Sequence, residues 1–179
     1  MKKNIGKNSI ISEYLRIRSH NFIVGDNSVI GAFSYISNLK FNLGSFSHIG
    51  PNCCFAGGNY QLKIGNHVTI SSHVSIYCQS NNFKEDLVSL YSNLIEDKKL
   101  YGDIVIEDFC GIGTHSIILP NNIIPEGVTI GAFSLVPPNF KFETYTYYSG
   151  NPIIPKKKRD KNRILDQARE VEIKINEKN

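Results

Sequence analysis

The sequence predicts an all-β fold: a parallel β-helix of triangular coils, with one extended loop and a short C-terminal helix. Three observations predict it. Aliphatic residues recur every six positions, the residues between them are turn formers, and a long interruption is followed by a return to the same rhythm.

The rhythm is clearest in the C-terminal half. Ile106, Ile112, Ile118, Ile124, Ile130 and Val136 follow one another at intervals of six without a slip. Small or apolar residues (Cys110, Ser116, Asn122, Val128, Ser134) stand four positions after each of the first five. Val24, Ile30, Ile36, Leu43, Ile49 and Phe55 carry the pattern earlier, with one added residue before Leu43. Ile64, Ile70 and Ile76 resume it, and Ile5, Ile11 and Ile17 are a weaker first instance. A helix would repeat at about 3.6 residues and a half-buried strand at about 2. Here the three positions after each aliphatic residue are mostly Gly, Ser, Asp and Asn, which favour turns. Each hexad therefore reads as a short strand and a bend, and three hexads close one coil. A single coil cannot bury its aliphatic residues, so coils must stack.

Two stretches break the column. FAGGNYQLK, residues 55–63, is longer than a hexad and must bulge. Residues 80–102 form a much longer departure, and a loop of that length inside a compact domain is usually functional. In the tail, Ile164, Ala168, Val171 and Ile175 share one helical face, which predicts a helix from about Asp160 to Ile175. The expected organisation is a β-helix domain over 1–155 and a basic helical tail over 156–179.

Composition narrows the function classes. The chain has 179 residues, 41 % of them hydrophobic, enough for one sizeable core. No run of about 18 apolar residues appears, so no membrane-spanning helix is expected. Two lysines open the chain without an apolar stretch behind them, so no secretory signal is expected. Much of the net charge of +4 sits in KKKRDK, residues 156–161, which argues against a nucleic-acid surface over the body. Cys53, Cys54, Cys78 and Cys110 have no CxxC spacing and read as reduced cytoplasmic thiols filling small core slots.

Three segments carry a resemblance. GDIVIEDFCGIGTHSIILPNNIIPEGVTIGAFSLVPP resembles the last coils of bacterial hexapeptide-repeat sugar O- and N-acetyltransferases. YYSGNPIIPKKKR is similar to the element that follows those coils and folds over coenzyme A. FAGGNYQLKIGNHVTISSHVSIYCQSNNF is similar to the coils that lead into the extended loop. The likeness covers about residues 5–158. It implies a left-handed helix, an exception to the usual right-handed crossover. It also implies a homotrimer with acetyl-CoA as co-substrate between subunits, no metal, and an acceptor that is a sugar or nucleotide-linked amino sugar of surface polysaccharide biosynthesis. By position, the resemblance assigns coenzyme binding to Gly113, Thr114, Gly131, Ala132 and Ser134, with Lys156 and Lys157 placed to meet its phosphates.

The chain departs from the family at one chemical point. The usual catalytic histidine precedes the loop, and here Asn81 stands in its place, within Tyr77-Cys78-Gln79-Ser80-Asn81-Asn82. Asparagine cannot accept a proton, though it can orient an acceptor or donate to a thioester oxygen. Tyr77, Asn81 and Asn82 are the candidate substrate-binding residues. A subset of the family with an acidic pair here and a YGD return is closer, and Tyr101-Gly102-Asp103 matches that return. Its histidine in an earlier coil corresponds to His48, read as a corner position that a neighbouring subunit could bring to Asn81. His48 is the candidate general base, and Glu85 and Asp86 are alternative carboxylates. His67, His73 and His115, all fourth in their hexads, read as outward and solvated, and His20 lies in the irregular first coil. A missing base favours an amine acceptor, which needs positioning more than deprotonation. Two rivals share the fold. A metal hydrolyase of carbonic anhydrase type would need three converging histidines, and His67 and His73 fall on successive faces. The other is a catalytically silent scaffold or binding protein.

Overall fold

The computed structural model describes residues 2–19, 21–37, 39–85 and 99–177. Its short strands form three parallel sheets, the faces of a triangular parallel β-helix. Face A holds β1 (Lys2–Ile5), β4 (Asn21–Val24), β7 (Lys40–Leu43), β10 (Gln61–Ile64), β15 (Ile104–Ile106) and β18 (Asn122–Ile124). Face B holds β2 (Ile10–Ile11), β5 (Val29–Ile30), β8 (His48–Ile49), β11 (Thr69–Ile70), β16 (Gly111–Ile112) and β19 (Thr129–Ile130). Face C holds β3 (Arg16–Arg18), β6 (Tyr35–Ser37), β9 (Cys54–Ala56), β12 (Ser75–Tyr77), β17 (Ile117–Ile118) and β20 (Leu135–Val136).

Strand pairing places the predicted aliphatic residues in three inward columns. Val24, Leu43, Ile64, Ile106 and Ile124 are in register on face A. Ile30, Ile49, Ile70, Ile112 and Ile130 are in register on face B. Ile36, Phe55, Ile76, Ile118 and Val136 are in register on face C. All are buried, and the stacked rings of Phe22, Phe41 and Phe55 thicken the core of the early coils.

From the second coil onward, the fourth residue of a hexad turns the A–B and B–C corners in the left-handed backbone region. Phe46 (φ 56°), His67 (φ 53°) and Phe109 (φ 60°) do so between faces A and B. Phe33 (φ 58°), His73 (φ 60°), His115 (φ 59°) and Phe133 (φ 55°) do so between B and C. The fifth residue points inward, and where it is serine its hydroxyl bridges coils. Ser47 Oγ donates to the Gly65 carbonyl at 2.9 Å and accepts from the Val68 amide at 3.0 Å.

Every departure from the six-residue interval falls at the corner between faces C and A. The steps from Ile17 to Val24 and from Ile36 to Leu43 are seven residues, from Phe55 to Ile64 nine, and from Ile76 to Ile106 thirty. Insertions there leave the three inward columns undisturbed and place loops on one edge of the prism.

The C-terminal end is closed by added elements. β21 (Thr146–Ser149) pairs parallel to β19 and antiparallel to β22 (Ile154–Lys158), so Lys156 and Lys157 are part of a sheet. Phe140, Phe142 and Tyr148 pack edge to face, 4.7–5.9 Å between centroids, over the core. Helix α1 spans Lys161–Asn176, with Asp160 as its N-cap accepting from the Arg163 amide. That matches the predicted helix within a residue.

Candidate functional site

The loop corner is built on a short antiparallel stem. β13 (Gln79–Ser80) pairs with β14 (Leu100–Tyr101), directly after face-C strand β12. Asn81 and Asn82 follow the stem and are half-buried. Asn82 is engaged locally: its Nδ2 donates to Glu85 Oε1 at 3.0 Å and its Oδ1 accepts from the Lys84 amide at 3.3 Å. Tyr77 is half-buried on the outer side of β12. On the return, Asp103 accepts from the Gln61 amide at 2.8 Å, and Tyr101 stacks on Tyr60 at 5.5 Å. Asp86 and His20 lie outside the described residues.

His48 is not at a corner. It is the outward, exposed residue of β8 on face B, paired with Val29 and Thr69. The corner of its coil falls two residues earlier, at Phe46, where the backbone turns left-handed. Within one chain, His48 on face B and Asn81 at the C–A corner are therefore separated.

Five of the coenzyme candidates gather at the B–C corner of the last two coils, while Lys156 and Lys157 lie on β22. Gly113 and Thr114 lie on one coil and Gly131, Ala132 and Ser134 on the next. Close stacking explains the glycines: a Cβ on Gly113 would lie 2.4 Å from the Ala132 nitrogen, and one on Gly131 2.6 Å from Tyr147 Oη. Thr114 Oγ1 donates to the Ser72 carbonyl at 2.7 Å. Ser134 is buried, and its hydroxyl donates to the Gly131 carbonyl and accepts from the Gly150 amide. Its side chain is thus committed to the coil. Lys156 and Lys157 are exposed.

Two groupings escaped the sequence reading. The first corrects the histidine assignment. His67 is not solvated: its side chain is only 13 % exposed, and its ring lies between Phe46 and Phe109. Its Nε2 donates to Glu172 of α1 at 2.6 Å. The helix covers this corner and leaves a cleft of about 370 Å³ lined by Thr69, Gly111, Arg159 and Ala168, among others. His73 and His115 are exposed, as expected. The second grouping brings Tyr14, Arg16 and Arg18 of the first coil against Phe33 and Tyr35 of the second. The only signal for it was vertical: residues 19 apart, Arg16 and Tyr35, fall in register.

Burial of the cysteines is as predicted for three of the four. Cys53, Cys78 and Cys110 are buried and Cys54 is partly exposed, and all are free thiols. Desolvation raises the pKa of Cys53 to about 11 and of Cys78 and Cys110 to about 12.

No family model matches the chain. It is 31 % identical over 168 residues to the dTDP-4-amino-4,6-dideoxy-D-glucose acyltransferase of Escherichia coli, covering 89 % of this chain and 83 % of that one. AntD, an N-acyltransferase from Bacillus cereus solved with dTDP and 3-hydroxybutyryl-CoA, superposes with a TM-score of 0.84 at 28 % identity. That match covers 97 % of this chain and 91 % of AntD. A hexapeptide transferase family protein from Anaplasma phagocytophilum shares the fold at a TM-score of 0.65 and 15 % identity, over 95 % of this chain and 87 % of that one. The chain belongs to the hexapeptide-repeat acyltransferase family, alongside the Escherichia coli dTDP-4-amino-4,6-dideoxy-D-glucose acyltransferase.

Proposed function

We propose that this chain transfers the acetyl group of acetyl-CoA to the free amine of a dTDP-linked amino sugar. The observation that carries the reading is a likeness over nearly the whole chain to an N-acyltransferase solved with both dTDP-4-amino-4,6-dideoxyglucose and coenzyme A. Asn81 at the loop supports an amine over a hydroxyl acceptor. A hydroxyl needs a base that contributes about 10²–10⁴-fold. An unprotonated amine is already the nucleophile, and holding it against the thioester does most of the work.

In this reaction the amine nitrogen attacks the thioester carbonyl. The N–C bond forms as the carbonyl electrons move onto oxygen. Collapse breaks the C–S bond, and the proton lost by nitrogen is balanced by one gained at the coenzyme sulfur. Asn81 is suited to donate a hydrogen bond to the developing oxyanion. His48 of an adjacent copy is suited to accept the proton from nitrogen. Because His48 and Asn81 are apart within one chain, the reading requires an adjacent copy, which the homotrimer of this reading would supply. Tyr77 and Asn82 would flank the sugar. Gly113, Thr114, Gly131, Ala132 and Ser134 would line the pantetheine arm, and Lys156 and Lys157 would meet the phosphates. The unit is the helix domain of residues 1–155 with a basic tail of 156–179, at work in the cytoplasm on a surface-polysaccharide precursor.

The test is release of free thiol from acetyl-CoA with dTDP-4-amino-4,6-dideoxyglucose as acceptor, beside its 4-hydroxy counterpart. Turnover of the amine alone is expected, with His48→Ala lowering kcat more than it raises KM. Turnover of the hydroxyl alone would exclude the amine reading. Faster turnover with 3-hydroxybutyryl-CoA would replace acetyl as the transferred group.

A further inference from the structure

We infer that the grouping of Tyr14, Arg16, Arg18, Phe33 and Tyr35 on the first two coils is the seat of a nucleoside diphosphate. The inference rests on the acyl-transfer reading only in naming the bound molecule as the nucleotide part of the acceptor.

The grouping lines a cleft of about 500 Å³ at the N-terminal end of face C. Tyr14 and Phe33 stack with centroids 5.2 Å apart and planes within 19°. Both rings are large and apolar, yet they are 61 % and 64 % exposed. A stacked, uncovered aromatic pair offers a flat apolar surface to a planar base, the kind of platform that binds bases without hydrogen-bond readout. Phe33 holds its place in the left-handed region, with φ 58°, so the platform is set by the coil geometry.

The two arginines supply the complementary charge. Arg16 and Arg18 are two apart on β3, with Ile17 between them, so both project outward on one side of the sheet. Neither is in an ion pair among the described residues. Both arginines line the cleft beside Tyr35, whose hydroxyl donates to Ser37 Oγ at 2.9 Å. Planar guanidinium forks match phosphate oxygens, and two neighbouring forks suit two linked phosphates. Among the described residues, those lining the cleft include no carboxylate.

The order of these groups along the strand agrees with the order of groups in the ligand. The ring pair is at the B–C corner, Arg16 comes next, then Arg18, then the C–A corner. A nucleotide sugar laid along β3 places base, first phosphate, second phosphate and sugar in that sequence. The sugar then emerges at the C–A edge, where every insertion falls and which carries Asn81 and Asn82 three coils further along.

The experiment is calorimetric binding of dTDP, inorganic pyrophosphate and acetyl-CoA to the full chain, wild type and variants. Arg16→Ala and Arg18→Ala are each expected to weaken dTDP about 10–100-fold, as loss of a charge-assisted hydrogen bond would. Arg→Lys variants should fall between, and pyrophosphate should compete with dTDP. Phe33→Asn, which keeps a residue tolerant of positive φ, should weaken dTDP and leave pyrophosphate unchanged. Acetyl-CoA binding should be unaffected throughout, which also reports that each variant is folded. Wild-type affinity for dTDP in the Arg16→Ala/Arg18→Ala double variant, or no dTDP binding by wild type, overturns the inference. Failure of acetyl-CoA to bind wild type would instead count against the acyl-transfer reading and leave the nucleotide seat to stand on the dTDP result.

Discussion

The A–B and B–C corners are built from the same hexad position, the same left-handed backbone and the same residue types, yet they end in opposite environments. At the A–B corner, Phe46, His67 and Phe109 stack in a ladder that α1 covers. At the B–C corner, His73, His115 and Phe133 meet edge to face, 4.7–5.0 Å between centroids, in a ladder that stays exposed. Repeat geometry decides where a side chain starts. What packs over it decides whether that side chain contributes to stability or remains free for a ligand. The covered ladder is a seam for the helix. The open one borders the coenzyme candidates Gly113, Thr114, Gly131 and Ala132.

The largest expected effect comes from alkaline pH, acting through thiols beneath both corners. Cys110 beneath the A–B corner and Cys53 beneath the B–C corner have pKa values raised by burial from 9.0 to about 12 and about 11. Between those limits the unfolded chain binds fewer protons than the folded one, so stability is intact below about pH 9 and falls as pH rises towards the folded values. The slope is about 1.4 kcal/mol per pH unit for each thiol. Denaturant melts at stepped pH should show the fall. Each variant should remove one thiol's share of the slope, Cys110→Ala up to about pH 12 and Cys53→Ala only up to about pH 11, while buried Cys78 keeps its own share in both. A curve unchanged by either variant would mean that these thiols are not desolvated.

Next in size is Gly127, which takes the corner position on the A–B edge after Phe109, with φ 70°. A Cβ there would lie 2.3 Å from the Tyr145 ring. Left-handed strain of about 1–2 kcal/mol and overpacking of about 1–3 kcal/mol should both act on Gly127→Ala. The exposed equivalent, Phe133→Asn, should cost little. Comparable losses from both would erase the distinction between the edges. Arg159 follows. Its Nη1 donates to the Phe109 carbonyl at 3.2 Å and to the Gly127 carbonyl at 2.5 Å, tying the chain before α1 to the covered corner. Arg159→Ala should cost about 1.5–3 kcal/mol in thermal or denaturant unfolding.

The sequence made much of this legible, because the hexad rhythm is local and its inward residues need no information from elsewhere. Ile106 to Val136 could be assigned to the core residue by residue, and Asp160 and the Ile164–Ala168–Val171 face announced the helix. The fate of His67 could not be read that way. Nothing within its own hexad distinguishes it from His73, and the difference lies in Glu172, more than a hundred residues later. The same holds for Arg16 and Tyr35, neighbours only because coils stack. Counting from Leu43 puts His48 at the end of its hexad and suggests a corner, whereas His48 opens strand β8, with Ile49 as its inward neighbour. Gly113, Thr114, Gly131, Ala132 and Ser134 share one corner because they belong to a single unbroken run of hexads, whereas Lys156 and Lys157 follow that run and lie on β22.

The smallest effects sharpen the comparison most, because they leave the backbone alone. Asparagine tolerates positive φ as histidine does, so His67→Asn and His73→Asn change only what the ring touches. His67→Asn removes two stacked neighbours and the bond to Glu172, and should cost about 1–2 kcal/mol, near the usual value of an aromatic pair plus a hydrogen bond. His73→Asn should stay within about 0.5 kcal/mol, as surface substitutions do. Glu172→Gln keeps an acceptor for His67, and Glu172 is 45 % exposed, so solvent screening should hold its cost below about 1 kcal/mol. Amide exchange then separates the causes. His67→Asn and Glu172→Gln should both raise exchange in the second half of α1, leaving faces B and C protected. If His73→Asn loosens the helix as much as His67→Asn does, the helix is held by the prism as a whole and the covered ladder has no special part in seating it.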